Sequence, residues 1–217
     1  MAFHPYKTLR GAAFDEYTVN RSRFIGYAAP CESEEEAIRF IRSIREKHRD
    51  ANHNCYAYIL GENAGIMRYS DDGEPSGTAG MPILEVLRKN ELVNCCAVVT
   101  RYFGGILLGA GGLVRAYSHS TVIGIRAAVP ILMEPTISLL WDVPYSLWDR
   151  FSYTLQNLPV RTEDTAFGAS VQATVAVRTR DAEQVIQDLI TVTDGKAEYL
   201  QAGENYSAWE TKISEDI

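Results

Sequence analysis

The chain has 217 residues, 46% of them apolar and 23% charged, which suits a packed core and allows one large domain or two small ones. The net charge of −7 is uneven: residues 1–130 carry 15 Lys and Arg against 14 Asp and Glu, and residues 131–217 carry 6 against 14. That acidic second half argues against gripping nucleic acid through its net field, and no apolar run reaches the roughly 18 residues of a membrane span.

The N-terminus, MAFHPYKTLRGAAF, lacks the basic-then-apolar layout of a secretion leader, so a cytoplasmic location with no membrane partner is expected. The first predicted element is a helix opening at Ser33. Ser33 and Glu36 form an S-x-x-E capping box, and Ala37, Ile38, Ile41 and Ile44 mark a buried face. Residues 54–61 read as a strand, paired across Glu62-Asn63-Ala64 with a short strand near Gly65–Tyr69. Residues 79–89 read as a helix with Pro82 in its first turn. Residues 92–103 read as a buried strand, followed by a glycine loop and a helix from about Gly112 to Ala128. Val129-Pro130 and Glu134-Pro135 punctuate the chain and divide it into domains 1–130 and 136–217. The second domain reads as strand Ile137–Val143, helix Tyr145–Leu155, strands Val160–Asp164 and Ser170–Val177, a helix over Asp181–Thr191 capped by Asp181, and a strand from Ala197. That βαββαβ order is ferredoxin-like, and the predicted class of the chain is α+β.

The four cysteines are read as reduced, buried thiols: Cys95 and Cys96 are adjacent, and vicinal pairing is strained. No spaced ligand pairs suggest zinc, so neither a metal nor a cofactor is expected.

Two segments carry the candidate chemistry. Tyr69–Pro82 holds three acids, three hydroxyls and three glycines, with Asp72, Glu74, Ser76, Gly77 and Thr78 at its centre. Glycine admits unusual backbone shapes and close ligand approach, and proline stiffens the remainder. Arg101–Tyr117 runs strand, glycine loop, helix. There the amides around Gly104, Gly105, Gly109, Gly111 and Gly112, flanked by Arg101 and Arg115, suit an anion such as phosphate. No Walker lysine follows, and Val114 breaks a dinucleotide fingerprint. The same glycines also permit close helix–strand packing with no ligand.

Taken together, the segments closely resemble the IMPACT/YigZ family, whose hallmarks are a DGEPSGTAG-type loop and a RYFGG…LG.GGL.RAY stretch, here Asp72–Gly80 and Arg101–Tyr117. His53-Asn54-Cys55-Tyr56-Ala57-Tyr58 matches the family's preceding strand, and Leu107 departs from the lysine of many relatives. The resemblance implies an N-terminal α/β domain similar to domain IV of elongation factor G and a C-terminal domain similar to its domain V. It also implies a link to translation, since eukaryotic relatives restrain the amino-acid-starvation kinase by competing for its activating partner. The expected function is therefore a non-catalytic binding protein of translation or its regulation. Its glycine-rich surface would contact RNA, the ribosome or a translation-associated protein, with Tyr102 and Phe103 available to stack on bases. The alternative is an enzyme acting on a phosphorylated small molecule or nucleotide, with His53 as base and Asp72 or Glu74 as acid.

Overall fold

The computed structural model describes residues 4–211, and these form two compact units. One holds residues 6–133 and 208–211; the other holds residues 4–5 and 134–207. Each is α+β with an antiparallel sheet.

In the first unit the sheet order is β2-β3-β6-β4-β5, from strands β2 (Ala13–Val19), β3 (Ser22–Pro30), β4 (His53–Leu60), β5 (Ile66–Ser70) and β6 (Cys95–Tyr102). Side chains alternate across a strand, so the central β6 feeds two cores. Cys95, Ala97 and Val99 face helices α2 (Gly80–Lys89) and α3 (Gly109–Ala127), while Cys96 and Val98 face helix α1 (Glu34–Lys47). The Ser33 half of the capping box read from the sequence is present, while Glu36 reaches the amide one residue before the cap. The Glu36 amide donates to Ser33 Oγ at 3.2 Å, and Glu36 Oε2 accepts from the Glu32 amide at 2.8 Å. Helix α3 packs on β3 at backbone distance: a Cβ added at Gly26 would stand 1.8 Å from the Ser120 carbonyl oxygen. The glycine is what lets helix and strand approach so closely.

Residues 6–30 form three strands, β1 (Tyr6–Leu9), β2 and β3, to which the sequence reading assigned no structure. Strand β7 (Pro130–Val143) runs through both prolines that suggested a break. Its first part, Pro130–Met133, pairs with β1, and Thr136–Val143 pairs with β9 (Val171–Arg178). Pro135 falls between the β1 and β9 ladders.

In the second unit β9 also pairs with β8 (Val160–Phe167), and β7 also pairs with β10 (Glu198–Glu210). With α4 (Tyr145–Asn157) and α5 (Ala182–Val192) the order is the βαββαβ read from the sequence. Its core is Trp141, Phe151, Leu139 and Leu189, all almost wholly buried. Asp181 does not cap α5 with its side chain; its carboxylate lies 3.5 Å from Arg178 instead. Among the described residues no helix is long and apolar enough to cross a membrane.

Candidate functional site

The site sits on the α2–α3 side of the first sheet, where the loop Asp71–Ala79 joins β5 to α2. Its acids point inward. Asp71 accepts from three backbone amides of its own loop and helix start: Gly77 at 2.9 Å, Ala79 at 3.1 Å and Gly80 at 2.8 Å. This carboxylate satisfies amides that a helix start leaves open, and the helix dipole favours its charge. Asp72 accepts from the Asn54 amide at 2.7 Å and pairs with Arg45 at 2.6 Å. Thr78 is buried and donates its hydroxyl to the Pro75 carbonyl at 2.6 Å.

Glu74 is the deepest of the three acids. Its Oε1 takes Arg101 at 2.6 Å and the Tyr117 hydroxyl at 2.7 Å, all three groups being buried. The Arg101 guanidinium lies over the rings of Phe24 and Phe103, at 5.4 and 5.3 Å. Cys55 donates its thiol to the Asp71 carbonyl at 2.9 Å and lies 3.4 Å from the Tyr117 hydroxyl. Burial, the largest cause, pushes both the Cys55 thiol and the Tyr117 phenol well above their ordinary values, so both stay protonated.

His53 stands beside this cluster. Its Nδ1 lies 2.9 Å from the Asp72 carbonyl, which can only accept, so Nδ1 carries the proton in the neutral ring. That leaves Nε2 as an acceptor, 3.9 Å from Glu74 Oε1. The segments meet around one cavity of about 400 Å³. Gly73, Glu74 and Pro75 line it from the first, and Arg101, Phe103 and Leu107–Ala110 from the second, with His53 and Asn52 between. Asn52 fixes the start of the second loop, since its Oδ1 accepts from the Phe103 amide at 2.8 Å. Gly104 is needed for contact, because a Cβ there would stand 2.1 Å from the Arg21 backbone. Gly105 and Gly109 are exposed at positive φ, +82° and +68°, with open space around both. Helix α3 begins at Gly109 with no side-chain cap, and Gly111 and Gly112 lie in its first turn.

The remaining residues singled out in the sequence go elsewhere. Arg115 is exposed and lines a second cavity, between α2 and α3, so the two arginines expected to flank one anion do not share a cavity. Tyr102 follows Arg101 on β6 and packs against the α1-side core. Its hydroxyl bonds His48 Nδ1 at 2.8 Å and Asp50 at 3.1 Å. Ser76 and Gly77 are exposed, and Gly77 lines the second cavity. Among the described residues there is no group of three His, Cys, Asp or Glu side chains able to hold a metal ion.

Reading the sequence by polar density gave Phe103 a role in stacking on bases and passed over Leu107 as an apolar rim residue of the cavity. Phe103 is 43% exposed and Leu107 85%, and Ile106 beside it is 41% exposed. The signal was there: large apolar residues stand inside a glycine loop that has no core to fill. What this arrangement offers chemically is an internally neutralised floor beneath an exposed apolar edge.

Comparison with known proteins agrees with the motifs. Residues 20–124 match the Impact N-terminal domain, and residues 142–196 match a domain of unknown function (DUF1949). The chain is 37% identical over 201 residues to the IMPACT family member YvyE of Bacillus subtilis, covering 93% of this chain and 92% of that protein. It is 32% identical to an IMPACT family member of Haemophilus influenzae, over 92% of this chain and 98% of the relative. The crystal structure of a hypothetical protein, 29% identical, aligns with a TM-score of 0.57 over 90% of this chain and 96% of its own. With near full-length matches and both motif segments in place, this chain belongs to the IMPACT family.

Proposed function

We propose that the chain is a non-catalytic binding protein of the translation machinery, and that its glycine-rich surface engages a protein partner. One observation carries the choice of a protein over RNA. The charged groups of the site, Asp71, Asp72, Glu74 and Arg101, bond within the fold, while Phe103 and Leu107 stand exposed at the rim. Phosphate recognition by charged side chains needs ones with no carboxylate partner, whereas an exposed apolar edge beside a cavity suits a protein surface. The link to translation comes from the family resemblance, with its implied likeness of the two domains, 1–130 and 136–217, to domains IV and V of elongation factor G. Every residue lining the cavity belongs to the first of these.

The test is capture from native lysate on the wild-type chain and on Leu107→Asp, each with and without nuclease. A partner recovered regardless of nuclease and lost with Leu107→Asp supports the reading. Recovery of ribosomal material that nuclease abolishes, unaffected by Leu107→Asp, replaces it with RNA binding.

A further inference from the structure

A second cavity, of about 530 Å³, lies away from the rim, between α2 and α3. Its α2 wall carries Met81, Glu85 and Lys89, and its α3 wall carries Val114, Ser118 and Val122. Each set is spaced four residues apart, so each forms a stripe up one side of a helix, two turns or about 12 Å long. Two such stripes bound a groove, not a round pocket. Val86 and Val122 are buried in its floor, and Ser118, 8% exposed, is small enough to keep the floor deep. Val114 remains 37% exposed on the wall, although its neighbour Leu113 is buried in the core. An apolar groove two turns long fits the apolar stripe of another helix.

The charges on its edges say which helix. Lys89 on one wall and Arg115 on the other are exposed, and neither has an ion-pair partner among the described residues. The one carboxylate of the groove, Glu85, is taken by Arg88 at 2.7 Å. Elsewhere in this unit Arg23 is paired with Glu16 and Arg45 with Asp72. In a chain of net charge −7, two unpaired cations, one on each wall of an apolar groove, are complementary to carboxylates on both flanks of the guest.

We infer that the groove between α2 and α3 is a docking site for an amphipathic helix of a protein partner, one whose apolar stripe is flanked on both sides by Asp and Glu. It is separate from the rim of Phe103 and Leu107 and stands without it.

The probe is a synthetic helical peptide of about 14 residues, long enough for two turns in the groove and a cap at each end, with a leucine stripe flanked by glutamates. A second peptide carries lysines in place of the glutamates. Both are titrated into the full-length chain while backbone amide shifts are followed. The glutamate peptide is expected to shift amides of Met81–Lys89 and Val114–Val122, to bind more weakly as salt rises, and to bind at least tenfold tighter than the lysine peptide. The double variant Lys89→Glu, Arg115→Glu should invert that preference. Both positions are exposed, and an unchanged thermal melt confirms that the variant folds. Leu107→Asp should leave the titration as it is in the wild type. Equal binding of the two peptides, no binding of either, or shifts confined to other residues overturns the inference. So does concentration-dependent self-association that Val114→Asp abolishes, since the occupant would then be a second copy of this chain.

Discussion

The two glycine-rich segments draw on similar residue types and use them in opposite directions. In Asp71–Gly80 the polar side chains other than Ser76 are bonded within the fold: Asp71 holds three amides, Glu74 holds Arg101 and Tyr117, and Thr78 holds Pro75. In the stretch from Phe103 to Gly112 the apolar side chains turn outward, with Leu107 the most exposed large apolar residue of the described chain. The contrast separates density from availability. A segment crowded with acids and hydroxyls looks like a binding surface, yet a polar group already bonded within the fold has little left to offer a ligand. The second segment is poorer in polar groups and has the larger uncommitted surface.

Removing the inward anchor gives the largest expected effect. Glu74→Ala leaves the Arg101 guanidinium buried without its counter-ion, which costs about 3–5 kcal/mol. Denaturant unfolding measures it, and a loss under about 1 kcal/mol would mean that Arg101 finds water or another acceptor and that the segment is less committed than its bonds suggest. The outward segment should behave in reverse. Leu107→Asp changes an exposed side chain and should alter stability by no more than about 0.5 kcal/mol while removing the partner in the capture experiment. If both variants lost stability alike, the contrast between the segments would fail.

The opposite face of the same strand sharpens the comparison through pH. One residue beyond Arg101, Tyr102 joins a buried network: its hydroxyl donates to Asp50 and accepts from His48 Nδ1, and Tyr27 donates to His48 Nε2 at 2.6 Å. Such a ring is held neutral. Burial is the main cause of its lowered pKa, aided by the charges of Lys47 and Arg23, while Asp50 pulls weakly the other way. With the folded value below the unfolded one, the unfolded chain binds the proton first as pH falls. Stability is thus fully present above the unfolded value near 6.5 and declines as pH drops through it toward the folded value. Thermal melts between pH 7.5 and 5 should show a steeper decline for the wild type than for His48→Gln. Parallel curves would mean that His48 charges in place.

Much of the fold is legible in the residues. Ser33 and Glu36 announce α1, and the apolar run before Arg101 announces β6. Strand β2 does not announce itself, because it is a sheet edge with mostly exposed side chains and so lacks the apolar alternation that marks a half-buried strand. Strand β10 is exposed along most of its length, and only its start was readable. At the site, composition picks out the two segments that line the cavity but gives no direction to their side chains. Strand alternation does: once β6 is a strand, Arg101 and Tyr102 must face opposite sides, so both cannot serve one ligand. The Glu74–Arg101 bond was not legible, because 27 residues separate the partners and no local rule links them.

The smallest expected effect asks what the glycines of the second segment are for. Gly111 lies in the first turn of α3 without a positive φ, and a Cβ added there would meet nothing within 4 Å. Neither backbone shape nor packing within the chain requires glycine at this position. Gly111→Ala should therefore stabilise the protein, by about 0.5–1 kcal/mol, because alanine loses less backbone entropy in a helix. A rise in melting temperature with partner capture intact would make Gly111 incidental to binding. A rise accompanied by loss of capture would mean that the partner's surface closes onto the α3 start, where a methyl group stands in its way. A fall in stability would show that the turn is tighter than its open surroundings indicate, and that the second segment, like the first, is committed to its own shape.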